Sequence, residues 1–169
     1  MTPLQTTQLL TAIHDTPLGE LMRSVPDLFP ICETLHFVGL SLLVGAMLIV
    51  DLRIAGHLKQ IEYAAVLKLL PVAIVGFLIN LGTGVCFIAT NPGLYWTNPA
   101  FAWKMAAIVA GGLNAAWFMI AEQNVLIALP IDGKAPLSAR TMAIASMVIW
   151  VLVILLGRLL PTFAEAGGG

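Results

Sequence analysis

Glu33 and His36 stand one helical turn apart inside Phe29–Arg53, an apolar run long enough to cross a bilayer. A carboxylate and an imidazole at that spacing share one helix face, where they could exchange a proton, hold an ion or ligate an iron. An ionisable residue near a bilayer centre costs about 2.5–3.5 kcal/mol on insertion scales, so its presence is by default a hypothesis of function. Nothing supplies a nucleophile beside the pair. H-E-x-x-H, G-x-S-x-G and phosphate-loop motifs are absent, so no catalytic activity of the chain's own is expected. Cys32 and Cys86 form no C-x-x-C motif, and a disulfide between them is weighed against two separate core thiols.

The elements that must position His36 follow from composition. Of 169 residues, 59% are hydrophobic and 10% charged, with a mean hydropathy of +0.95, which is a membrane composition. A net charge of −1 lacks the basic face that nucleic acid requires. Residues 1–12 have no basic n-region and no continuous apolar core precedes Phe29, so no signal peptide is expected and the spans themselves drive insertion.

The fold class expected is all-α: an integral membrane four-helix bundle with an N-terminal interfacial amphipathic helix. Residues 1–27 form the interfacial segment, 28–163 the bundle and 164–169 a disordered tail. Within the first segment, Thr16 and Pro17 read as N-cap and first helical residue, with Leu18, Leu21, Met22 and Val25 along one face. His14 belongs to this segment as an exposed histidine. The spans are expected at Phe29–Val50, about Leu67–Ile88, about Phe101–Glu122 and about Thr141–Leu160. Between the second and third, ATNPGLYWTNPA holds two Asn-Pro turn signals and a Tyr-Trp pair suited to the headgroup layer.

Lysine and arginine placement sets the orientation. Arg53, Lys59 and Lys68 follow the first span and Lys134 and Arg140 the third, whereas the connection after the second carries none. Both termini are therefore expected on the non-cytoplasmic side of a bacterial inner membrane.

Counting about 1.5 Å per residue from each span's midpoint places His36 slightly toward that outer side, with Asn80 of the second span level with it. Nearer the outer surface come Glu33, Cys32, Cys86, Lys104, Met105 and Arg158. The inner half offers Asn114, Ser146 and Trp150, with no titratable group before the cytoplasmic edge. One stripe on the first span joins Cys32, His36, Gly39, Leu43, Ala46, Met47, Val50 and Arg53. In the second, Gly76, Asn80 and Gly84 recur every four residues, a spacing that admits close helix approach or leaves room for a flat group.

Three readings of these residues stand open. In the first, a b-type haem or a quinone sits in the outer half around His36. His36 would then be the metal ligand, Met105 the nearest second axial ligand, Lys104 and Arg158 the propionate partners, and Asn80 a neighbour. In the second, His36 and Asn80 hydrogen-bond across a plain helix interface and Glu33 pairs with Lys104 or Arg158, in a non-catalytic accessory subunit of a larger membrane complex. A proton or ion path ranks last, because the inner half continues no relay.

Three stretches, LHFVGLSLLVGAMLIVDLRIAG, LLPVAIVGFLINLGTGVCFIATNPGLYWTNPAFAWKM and AGGLNAAWF, carry a resemblance. They look like a family of bacterial four-span inner-membrane proteins, distantly similar to copper-resistance D-type membrane domains and to small cytochrome-b-like bundles. In that family the third span often ends in Asn-Ala-x-x-Phe-His; here Asn114, Ala115 and Phe118 match and Met119 stands in place of the histidine. The resemblance implies a membrane protein working beside redox partners, with His36, Lys104 and Asn114 at family-like positions. The partners expected are the lipid bilayer, other membrane subunits or a second copy of the chain, and a quinone, with no nucleic acid.

Overall fold

The computed structural model describes the backbone of residues 3–166 and the side chains of residues 4–163. Nine helices are present among the described residues, with no strand. The N-terminal segment is a helix pair, α1 (Pro3–His14) and α2 (Pro17–Ser24). α3 (Leu28–Ala55) is the first span; α4 (Tyr63–Leu67) and α5 (Leu70–Thr90) together make the second. α6 (Pro92–Trp96) precedes α7 (Pro99–Ala121), and α8 (Gln123–Ile127) precedes α9 (Leu137–Ala166). Four segments are long and apolar enough to cross a membrane, Leu28–Ala55, Tyr63–Thr90, Pro99–Ala121 and Leu137–Phe163. Most of their large apolar side chains point outward, which suits a multi-pass protein solvated by lipid.

Capping residues set the boundaries. Thr16 Oγ1 accepts from Gly19 N at 3.2 Å, as its position before Pro17 predicts. Asn91 accepts from Leu94 N and Asn98 from Ala100 N, so the two Asn-Pro signals start helices as well as marking turns. The short helix α6 between them was invisible to periodicity, since five residues complete barely one turn. α3 ends at Gly56, whose φ of +100° suits a residue without a Cβ. The tail differs from expectation: α9 carries on through residues 164–166, while residues 167–169 lie outside the described part.

Packing divides the bundle into two sequential hairpins. α3 packs along α5 and α7 along α9, and the hairpins meet chiefly where α3 touches α9; α5 and α7 have at most marginal contact. The α3–α5 seam is closed by glycine. A Cβ on Gly76 would lie 2.5 Å from Gly39 O and 2.6 Å from Leu43 N, both backbone atoms that cannot move aside. The same absence of a side chain lets α2 lie on the end of α5, where a Cβ on Gly19 would come 2.7 Å from Ala89 O. Arg23 Nη1 donates to that carbonyl at 3.5 Å, so α2 is fastened to the bundle as well as suited to a membrane surface.

The expected stripe on α3 is its buried face: Gly39, Leu43, Ala46, Met47, Val50 and Arg53 are all buried, with Cys32 and His36 half-buried. Arg53 is 1% exposed and lies inside the helix. Its Nε donates to Ile61 O, its Nη2 donates to Ile131 O at 2.8 Å, and its guanidinium stacks 3.7 Å from the Tyr63 ring centroid. Tyr63 donates in turn to Gly133 O at 3.1 Å. A residue read as a topology charge is thus also a clamp on both loops at its end of the bundle.

Candidate functional site

His36 sits on α3 at the end of the bundle where α1, α2 and α6 lie. Its Nδ1 is 2.7 Å from Thr83 Oγ1 on α5, and its ring lies 5.2 Å from that of Phe87. Thr83 also donates to Ile79 O at 2.8 Å, the usual back-bond of a helical threonine. With that proton on Ile79 O, only lone pairs remain on the hydroxyl and His36 Nδ1 is the donor; in the other tautomer the Thr83 hydroxyl donates to Nδ1. The first arrangement leaves Nε2 as a bare lone pair, which is the form in which a histidine ligates a metal or accepts a hydrogen bond.

Thr83, 5% exposed, is the residue that sequence reading missed. Depth counting pointed instead to Asn80, one turn away. Asn80 does not bond His36; its Nδ2 donates to Gly76 O at 2.9 Å in its own helix and fills the space over Gly39. The signal that could have found Thr83 is its position: with Gly76 and Asn80 it continues the face of α5 turned to α3. Gly39 and Gly76 are occupied by the close approach of the helices and leave no flat slot between α3 and α5, whereas a Cβ on Gly84 would meet nothing within 4 Å.

Lys104 of α7 lies against α9, where a Cβ on Gly157 would be 3.4 Å from its Nζ. Pro161 has no N–H, which deprives the Gly157 carbonyl of its usual intrahelical donor and makes that turn a favourable place for an ammonium. The charge of Lys104 reaches His36. The remaining expected residues are not drawn in as closely: Met105 is 37% exposed and Arg158 is on the surface. Glu33 is also exposed and forms no ion pair with Lys104 or Arg158; among the described residues the one such contact is His14 Nδ1 to Asp15 Oδ1 at 2.9 Å. His14 therefore has a partner as well as exposure. Near Glu33, burial first and then the Glu33 charge push the Tyr95 phenol on α6 above its ordinary range.

Cys32 and Cys86 are free thiols that interact with one another across the α3–α5 seam. Cys32 also lies 3.9 Å from Met22 Sδ, a soft contact joining α2 to α3.

The opposite half of the bundle corrects an expectation. Asp51 lies within α3, four residues before its end, and is only 3% exposed. The half expected to hold no titratable group before the cytoplasmic edge has a buried carboxyl one residue beyond the expected end of its first span. The boundary misled because Asp51 and Arg53 resemble the polar edge of a span, whereas Arg53 finds carbonyl acceptors inside and lets the helix continue. Asp51 faces an apolar cavity of about 150 Å³ lined by all four spans, among them Met47, Phe77, Asn114, Phe118, Ser146 and Trp150. Asn114 Nδ2 donates to Met142 O at 3.2 Å and ties α7 to α9 at its wall. Asp51 Oδ2, Ser146 Oγ and Trp150 Nε1 are buried without a hydrogen-bond partner at ordinary distance, although Asp51 and Ser146 are near enough to interact. Each such orphan costs about 1–3 kcal/mol, so three around one cavity is a sizeable debt for a small bundle.

The described residues include no group of three or more histidine, cysteine or acidic side chains able to hold a metal ion. Compared with family models, curated proteins and solved structures, the chain finds no match.

Proposed function

We propose that the protein is a membrane redox subunit whose working site surrounds His36, and that the site contacts the ring of a quinone. The observation that supports this is the 2.7 Å contact that orients His36 on Thr83, within the influence of the Lys104 charge; in the tautomer with Nδ1–H on Thr83, Nε2 is bare. Nε2 would accept a hydrogen bond from a quinol hydroxyl, and the Lys104 ammonium would donate to a quinone carbonyl. The electron partner would be another subunit. A b-type haem is the other occupant of the same reading, and the residues fit half of it. His36 is oriented by Thr83 as an axial ligand would be by a second partner; Met105 and Arg158 face outward, and Gly39 and Gly76 leave no room between α3 and α5. Haem would supply one-electron transfer there.

The second reading, a non-catalytic accessory subunit, draws on the broad apolar outer surface and on α2, which offer faces to other membrane subunits or to a second copy. In either reading the protein would sit in a bacterial inner membrane, and the lysine and arginine distribution favours both termini on the non-cytoplasmic side.

The test pairs a reduced-minus-oxidised visible spectrum with a titration by a short-chain benzoquinone, on detergent-purified wild type and His36→Ala. Saturable quinone binding lost in the variant, with no visible band, is the expected result. An α-band lost in the variant would replace the quinone with haem. Neither signal in freshly purified protein sinks the redox reading and leaves the accessory subunit.

A further inference from the structure

The cavity beside Asp51 belongs to a different half of the bundle from His36, and its polar atoms are unexplained by the fold. Asp51 Oδ2 comes from α3, Ser146 Oγ and Trp150 Nε1 from one face of α9; none has a hydrogen-bond partner at ordinary distance, although Asp51 and Ser146 are near enough to interact. All three residues are more than nine-tenths buried. We propose that this cavity binds a small neutral molecule carrying one hydroxyl group on an apolar, ring-sized body.

Polarity selects the ligand class. The Trp150 indole can only donate, and the Asp51 carboxyl accepts on at least one oxygen whether or not it holds a proton. A metal cation would leave Trp150 unsatisfied, and an anion would face Asp51. A hydroxyl both gives and receives: its proton goes to Asp51 and its lone pairs to Trp150 N–H, with Ser146 beside them. Size excludes filling by water alone. One water answers the polar corner and Asn114 could hold another, but the space is several times larger, and the rest of the wall, Leu43, Met47, Phe77, Phe118 and Met119, offers further waters nothing to bond. A cavity of about 150 Å³ is of the size that accepts a benzene ring when its walls are apolar.

The route of entry is the gap between the hairpins. α5 and α7 both line the cavity yet scarcely touch each other, so the space opens between them toward lipid. Gly112 of α7 stands at its lining with nothing within 4 Å of where a Cβ would be. An apolar molecule dissolved in the bilayer meets no charged side chain on that path before Asp51.

Phenol is the probe and benzene its control, titrated calorimetrically into the full chain in detergent, with protein-free micelles subtracted. The expected result is one saturable site for phenol, about tenfold tighter than for benzene, the worth of one net hydrogen bond. Asp51→Leu and, separately, Trp150→Phe should each bring phenol toward the benzene affinity while retaining helical circular dichroism. Equal affinity for the two probes in wild type overturns the proposal, as does a phenol preference that survives both substitutions. No saturable binding of either probe also overturns it, and would mean that ordered water alone occupies the polar corner. None of these outcomes depends on His36, so they stand apart from the quinone test.

Discussion

The two halves of the bundle treat a buried ionisable residue in opposite ways. At the α6 end, His36 is half-buried, its Nδ1 is bonded to Thr83, and the helices around it are drawn together by glycine until their backbones touch. At the other end, Asp51 is more deeply buried, one of its oxygens is unpaired, and α5 and α7 stand apart. Polar satisfaction and close packing go together around His36 and are both withheld around Asp51, although Arg53, two residues on, donates to two carbonyls. A site that spends stability on unpaired groups and open space is a place where something else is meant to bind, whereas a satisfied histidine with one bare nitrogen is a group held in position.

The sharpest way to break this contrast is to add one methyl group to each half. Gly76→Ala forces a Cβ against Gly39 O and Leu43 N and should destabilise by about 3 kcal/mol, the upper end for overpacking. Gly112→Ala meets open space and should stabilise by about 0.5–1 kcal/mol through helix propensity. Denaturant titration of both in detergent reads the difference, and equal effects would show that the two seams are alike.

Removing the polar groups themselves should then give opposite signs. Asp51→Leu replaces an unpaired buried carboxyl by an apolar side chain of similar volume and should raise stability by about 2 kcal/mol. Thr83→Val keeps shape but strands His36 Nδ1, and should lower it by about 1 kcal/mol. A loss of stability in Asp51→Leu would mean that its carboxyl has partners after all.

The smallest effect concerns Tyr95. Its phenol is raised when folded, so the folded state holds the proton more tightly than the unfolded one, whose value is about 10. The associated stability is present below pH 10 and lost as pH rises through the folded value. Ultraviolet titration should show Tyr95 ionising late. In Glu33→Gln it should ionise earlier, though still above the ordinary range because burial is the larger cause.

Much of this was written in the apolar pattern. Four spans, the helix pair before them, the Thr16 cap and the buried stripe of α3 all follow from hydrophobic period and punctuation, which act locally. Asn114, Ser146 and Trp150 were also recognisable as one polar group in one half. Thr83 was not, because a threonine in a span bonds its own helix and leaves no trace of what else it accepts. Asp51 went unread because adjacency to Arg53 suggests water, and only the folded loops reveal the carbonyls that hold Arg53 inside. His36 was legible as a residue; its partner depended on how α3 and α5 meet.

The division into hairpins bears on how the chain is made. α3 and α5 are consecutive, as are α7 and α9, so each pair can associate as soon as its second span leaves the translocation machinery. The main long-range seam joins the first span to the last, with a lesser one between α4 and α8, and so forms only when synthesis is nearly complete. Asn91–Asn98, between the two pairs, is accordingly where the gene could be cut in two and its halves expressed together to rebuild the bundle.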